Sequence, residues 1–406
     1  MRVALIHDHL AQDGGAEKVL KIFADMFPQA PIYTLLYEKK NTDKYYKGHR
    51  IETSVIQKLP GGVKYYQWYM PFMPMAVEFF DLSKYDLVIS DASAFSKGVI
   101  TSPDTLHICY CYTPTRYLWD YTHQYINELN YNKYFKKLIS LVLNYIRIWD
   151  KSAADRVDKF IAISQAVKKR IKKYYRRDSV VIYPPVEIDK FYISKEQASD
   201  AAADKSAFAK AMADKYFLIG GRLAPYKRVD IVIRAFKKLA LTPGPSPAPD
   251  VAEEGGLLNG VVPKLKVFGD GIDMERLQKI AGDSKNIEFL GRIDDDNKAG
   301  LYSRCQAFIN PQEEDFGITM VESMASGRPV IAYNKGGALE IVEEGKTGLF
   351  FSQQTPEAII EIIKKFNGRQ FNPEEIRQAA EKFSLNRFKA EMKKFIEKEY
   401  QRFKDQ

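Results

Sequence analysis

Short apolar runs alternate with helical periodicity along almost the whole chain, and they do so in two series. The first series of strand candidates is Val3-Ile6, Pro31-Leu35, Leu87-Ser90, Leu106-Tyr110, Phe160-Ile163 and Val180-Ile182. The second is Tyr216-Gly220, Leu265-Phe268, Ile287-Phe289, Ala307-Asn310, Pro329-Ala332 and Gly348-Phe351. Helical patterns such as Ala16-Met26, Val229-Ala240 and Met320-Ala325 lie between them. Strands separated by helices pair in parallel through right-handed crossovers, so each series predicts a doubly wound sheet. Tyr183-Pro184-Pro185-Val186 divides the two, because a Pro pair disfavours helix and stiffens the chain. The reading is an α/β chain with Rossmann-like domains over 1–184 and 185–384, then a charged amphipathic helix, Leu385 to Phe403, within 385–406. Two stretches fall outside the alternation. Ser194-Asp214 is rich in Ala, Asp and Lys, and 242–256 is a Pro-rich surface insertion.

A hydrophobic share of 45% over 406 residues excludes whole-chain disorder. Cys109, Cys111 and Cys305 cannot form a disulfide framework and fit a reducing compartment. The start, Met1 to His7, reads as a strand rather than a signal peptide, and Leu138-Ile148 is too short and too polar to span a bilayer. These features predict a soluble cytoplasmic protein. The net charge of +9 is local: Lys133 to Arg177 holds 14 Lys and Arg against three Asp. Such a stretch is either a solvated helix face or a site for an anionic partner. A membrane surface suits it better than nucleic acid, since no nucleic-acid motif accompanies it.

Chemistry concentrates at the strand exits. Gly14-Gly15 opens a helix after the first strand, where free amides and close backbone approach suit an anion. The spacing Gly-x-Gly-x-x-Gly is absent there and at Gly269-Asp270-Gly271, which argues against a dinucleotide fold. After Tyr216-Gly220 come Arg222, Lys227 and Arg228, and the first two suit a diphosphate. After Ala307-Asn310 comes an acidic loop with Glu314 just before a helix and Glu322 inside it. Carboxylates there suit a polyhydroxylated ligand, or simply complement the helix dipole. Gly336-Gly337 forms a further glycine-rich exit.

Taken together, Gly-Arg-Leu-x-x-x-Lys from Gly221, Gly-Asp-Gly from Gly269, Glu-x7-Glu from Glu314 and Gly-Gly-x-x-Glu from Gly336 resemble glycosyltransferase family 4. These are retaining sugar-nucleotide transferases of the GT-B fold, and the resemblance covers nearly the whole chain. Tyr112 to Asp120, including Arg116, and Ile182-Val186 resemble a mannosyltransferase-like subgroup of surface-polysaccharide assembly. The resemblance implies that Arg222 and Lys227 hold the donor diphosphate and stabilise it as leaving group. It places Glu314 by the sugar hydroxyls and Glu322 on the ribose. Phe316, Gly317, Ile318 and Thr319 form the loop approaching sugar and phosphate, Ile293 lies near the base, and Gly14 and Gly15 form the opposite lip of the cleft. The terminal helix is implied to cross back onto the first domain.

One position departs from the pattern: Tyr112 stands where the family often has His, near the reacting sugar. Tyr is a poor base near neutral pH. A front-face mechanism lets the leaving phosphate take the proton instead, and His123 is a further possible compensation. Asp294-Asp295-Asp296 formally contains a metal-binding Asp-x-Asp, but helix capping explains it better, so no metal and no cofactor are expected. The expectation is transfer of a hexose, foremost mannose from GDP-mannose, to a glycan or lipid-linked hydroxyl, on an enzyme resting on the inner leaflet through 133–177. A UDP-hexose donor, a sugar-nucleotide epimerase and a non-catalytic assembly scaffold are the alternatives.

Overall fold

The computed structural model describes residues 1–11, 14–39, 46–194, 216–241 and 262–406. The Pro-rich insertion at 242–256 and nearly all of Ser194-Asp214 lie outside the described residues. The chain forms two compact units, one made of Met1–Pro184 with Phe388–Gln406, the other of Pro185–Arg387.

The first unit holds a seven-stranded parallel sheet ordered β3-β2-β1-β4-β5-β6-β7. Its strands are β1 (Val3–Leu10), β2 (Ile32–Tyr37), β3 (Ile51–Thr53), β4 (Leu87–Ala92), β5 (Leu106–Cys111), β6 (Lys159–Ala162) and β7 (Ser179–Val181). Strands β2, β4 and β5 are buried at every residue, which is why they read as continuous apolar runs rather than alternations. β1 runs four residues past its predicted end, through His7-Asp8-His9-Leu10, where the His7 and Asp8 side chains find buried partners and Leu10 is itself buried. β3 was not predicted. It is a half-buried edge of three residues, Ile-Glu-Thr, with no apolar run to announce it. The helix Leu385–Lys404 inserts Phe388 between Phe23 and Tyr110, with ring centroids 5.7 Å away in both directions.

The second unit is a six-stranded parallel sheet ordered β10-β9-β8-β11-β12-β13. Its strands are β8 (Tyr216–Gly220), β9 (Lys264–Phe268), β10 (Ile287–Gly291), β11 (Cys305–Asn310), β12 (Val330–Tyr333) and β13 (Gly348–Phe351). In this sheet the strand order reverses between β8 and β11, and in the first it reverses between β1 and β4. Crevices at the carboxyl ends of such strand pairs are where open α/β sheets bind ligands.

Candidate active site

In the second unit the β8 and β11 exits bring the two halves of the predicted donor site together. β8 ends at Gly220, Arg222 follows, and a short 3-10 turn, Pro225–Lys227, presents the lysine. Lys227 Nζ lies 2.5 Å from Glu314 Oε1, with both side chains less than one-fifth exposed. Gln312 Nε2 donates to the same oxygen at 2.6 Å. Burial opposes the charge on Lys227, but the Glu314 carboxylate and Tyr226 outweigh it and hold its pKa above the ordinary lysine value. Arg222 is exposed and near enough to Lys227 to work against that charge. Two cations of like sign, one half-neutralised by an acid, form a locus that gains stability from an incoming anion.

Glycines set the closeness of these loops. A side chain at Gly269 would meet the Gly221 carbonyl oxygen at 1.8 Å, and one at Gly271 the Leu223 oxygen at 2.1 Å. The β9 exit is therefore locked under Arg222, and Leu223 N donates to Asp270 O at 2.9 Å. Likewise a Cβ on Gly336 would lie 2.3 Å from Glu314 O, and Gly337 N donates to that oxygen at 2.8 Å. So the Gly-Asp-Gly and Gly-Gly pairs serve packing that aims Arg222 and Glu314.

Phe316 is buried against Phe383, and Gly317 caps the helix Ile318–Ala325, whose first turn holds Ile318 and Thr319. Glu322 sits in that helix, buried. One of its oxygens accepts from Tyr302 OH at 3.0 Å and the other from Lys298 Nζ at 3.2 Å. In this state the carboxylate is engaged within the unit, and a ribose hydroxyl has to share it or compete with Lys298 for it. Ile293 is half-buried between β10 and the helix Asp295–Arg304, which Asp294 caps by accepting from Asn297 N. Among the described residues no three His, Cys, Asp or Glu side chains gather as a metal site.

The first unit carries a second cluster, which the sequence reading missed. His7 on β1 and Asp91 on β4 are register partners, and His7 Nδ1 bonds Asp91 Oδ1. Tyr112 OH lies 3.0 Å from Asp91 Oδ2 and 3.1 Å from Ala16 O. Burial disfavours a charged His7, yet Asp91 outweighs it and lifts its pKa to about 9. Burial raises Asp91 to about 6, with His7 and Tyr112 pulling it back. At neutral pH the pair is therefore an imidazolium and a carboxylate. Burial pushes Tyr112 well above the usual phenol range, reinforced by Asp91. Thus Tyr112 is a hydrogen-bond donor fixed by Asp91. Beside it, Asp8 accepts from the backbone amides of Ser93, Ala94, Phe95 and Ser96 at 2.7–2.8 Å, pinning the β4 exit to β1.

Gly14 caps the helix Gly15–Met26 with its amide bonded to Glu17 Oε2 at 3.0 Å, so a carboxylate of the chain itself occupies that helix start. Arg116 stacks over Tyr121 at 4.1 Å, in a loop tied down by Trp119 Nε1 to Asp150 (2.8 Å) and by Arg170 to Asp120 (2.8 Å). His123 is exposed on the helix Thr122–Glu128. The signal for His7 and Asp91 was present in the sequence: each is a polar residue within an apolar strand run, and such a residue is buried only with a partner.

Residues 13–190 match the family described as Glycosyltransferase Family 4, and residues 200–383 match Glycosyl transferases group 1. Glycosyltransferase models thus match both units of the chain, and its fold is GT-B. The alpha-1,3/1,6-mannosyltransferase ALG2 of Dictyostelium discoideum is 27% identical over 290 residues. That alignment covers 66% of this chain and 64% of that protein's length. An uncharacterized glycosyltransferase, MJ1069 of Methanocaldococcus jannaschii, is 24% identical and covers 96% of this chain and 92% of its own. The structure of Anabaena Alr3699/HepE in complex with UDP-glucose superposes with a TM-score of 0.65 at 18% identity, over 98% of this chain and all of that one. At that identity the likeness carries the GT-B fold alone.

Proposed function

We propose that the chain is a retaining hexosyltransferase that moves a sugar from a nucleoside diphosphate to an acceptor hydroxyl. The observation that carries this reading is the Arg222, Lys227 and Glu314 set at the β8–β11 reversal. In the proposed step, the acceptor oxygen bonds to the anomeric carbon while the bond from that carbon to the β-phosphate oxygen breaks. The bonding electrons leave with the nucleoside diphosphate. Arg222 and Lys227 stabilise the charge that develops on it. The acceptor proton passes to the departing phosphate oxygen, so no strong protein base is needed and a tyrosine at position 112 is tolerated. Glu314 takes hydroxyl hydrogen bonds from the sugar once a diphosphate competes for Lys227.

GDP-mannose is the proposed donor, supported by the likeness to an alpha-1,3/1,6-mannosyltransferase and by the residues around Arg116. A UDP-hexose is the second reading, favoured by the likeness to a protein solved with UDP-glucose. The proposed acceptor is a glycan or lipid-linked glycan hydroxyl.

The test is transfer from radiolabelled GDP-mannose and UDP-glucose by the purified chain, by Lys227→Ala and by Glu314→Gln. Each variant should lose about 100-fold or more in kcat, the scale of removing one charge-stabilising group. Variants within threefold of the parent would sink the site assignment. Conversion of the donor to a new nucleotide sugar without acceptor would replace the reading by epimerisation.

A further inference from the structure

The helix Lys133–Asp155 has two apolar faces, and only one packs inward. Leu143 and Ile146 are buried in the core of the first unit. Tyr134, Leu138, Leu141, Tyr145 and Ile148 are instead between 54% and 71% exposed. At 100° per residue these five fall within an arc of about 80°, a continuous stripe along the helix. A second stripe lies beside it. Trp68, Phe72, Met75 and Phe79 are all exposed, on a 3-10 segment (Tyr66–Phe72), on the helix Met73–Glu78 and at the residue that ends it. Trp68 meets Phe135 with ring centroids 6.0 Å apart, and Trp149 Nε1 donates to Glu78 at 2.8 Å, so the two segments run side by side. Nine large apolar side chains facing water in one neighbourhood exceed the scattered exposure normal for a monomer.

The charges around the stripes select the partner. Between Lys133 and Trp149 stand Lys133, Lys136, Lys137 and Arg147 and no carboxylate. Between Val55 and Val77 stand Lys58 and Lys64 and again no carboxylate; beside Phe79, Glu78 is engaged by Trp149 and Arg156 and Asp81 by Ser83. The wider basic stretch does not form one surface. Arg147 donates to Leu118 O, Arg156 to Glu78 and Gly98 O, and Arg170 to Asp120. Arg177 donates to the carbonyls of Ala154, Asp155, Val157 and Asp158. What remains facing water is an aromatic-aliphatic platform rimmed by lysines, the composition of a helix lying in a membrane interface.

We propose that this platform, the stripe Tyr134–Ile148 with Trp68, Phe72, Met75 and Phe79, docks into the headgroup and acyl boundary of an anionic bilayer. The apolar side chains insert, and Lys133 and Lys137 remain at headgroup level. This mode of attachment rests on exposure and charge and is independent of which donor the enzyme uses.

The test is co-sedimentation of the full chain with vesicles of phosphatidylcholine, alone or with about one-third phosphatidylglycerol. The parent should bind the anionic vesicles. Leu141→Glu/Ile148→Glu should weaken that binding by about tenfold or more, since each change puts a carboxylate into the boundary. Lys133→Gln/Lys137→Gln should weaken it severalfold and flatten its salt dependence. All four substituted positions are exposed, so far-UV circular dichroism and the donor-only reaction should stay at parental values. Failure of the parent to sediment with anionic vesicles overturns the proposal, as does parental binding by Leu141→Glu/Ile148→Glu. A concentration-dependent dimer that this double variant dissolves, without vesicle binding by the parent, assigns the platform to a second copy of the chain and equally overturns it.

Discussion

Replacing Asp91 with Asn tests the buried cluster of the first unit through its pH dependence. His7 has a folded pKa of about 9 against about 6.5 in the unfolded chain. A raised pKa means that folding favours the protonated ring. The resulting stability is fully present below about pH 6.5 and lost as the pH rises through about 9. At about 1.36 kcal/mol per unit, the 2.5-unit shift bounds the effect at roughly 3.4 kcal/mol, of which about 2 kcal/mol falls between pH 7 and 9.5. Asp91, at about 6, is already ionised across that window and adds little slope. The assay is urea unfolding followed by tryptophan fluorescence. All three tryptophans (Trp68, Trp119 and Trp149) lie in Met1–Pro184, so the signal reports the first unit. A loss of about 2 kcal/mol should lower the urea midpoint by roughly 0.5–1 M between the two pH values. In Asp91→Asn, burial is opposed only by the weaker pull of Glu17 and Asp8, so the folded pKa of His7 falls and this slope should shrink sharply. Equal slopes in parent and variant would refute the claim that Asp91 charges His7.

Three further outcomes follow from the same contacts. Asp150→Ala leaves Lys97, which it holds at 2.5 Å in the interior, as an unpaired buried cation. It should cost roughly 3–5 kcal/mol in the same fluorescence assay, and Lys97→Met/Asp150→Leu should recover only part of that, because Thr115, Trp119 and Tyr175 also donate to Asp150. Gly336→Ala places a Cβ 2.3 Å from Glu314 O at a φ of +65°. It should cost about 1–3 kcal/mol in the second unit by thermal unfolding and lower transfer by displacing Glu314. Lys298→Ala frees one Glu322 oxygen. If Glu322 serves the ribose, the variant should bind the nucleoside diphosphate severalfold more tightly by calorimetry, and a weaker affinity would exclude that role.

How much of this was legible in the sequence depended on whether a feature is local. β8 occupies the predicted residues because a buried parallel strand is apolar from end to end, and β13, a half-buried edge strand, carries an equally apolar run, Gly-Leu-Phe-Phe. Arg222, Lys227 and Glu314 were legible because strand exits of a doubly wound sheet gather at one edge, whatever the detailed register. His7 and Asp91 depended on register across 84 residues, which no local pattern fixes. The basic stretch shows the opposite failure, since a charge count along the chain does not reveal which arginines spend their charge on carbonyls. The segment Leu138–Ile148 was rightly read as unable to span a bilayer, and no described helix is long and apolar enough to do so. A spanning test asks only for length and hydropathy. This helix has apolar residues over more of its circumference than the core covers, and only tertiary structure shows which of them remain in water. The surplus face, rather than the excess of 14 Lys and Arg over three Asp, is what distinguishes a docking helix from a solvated one.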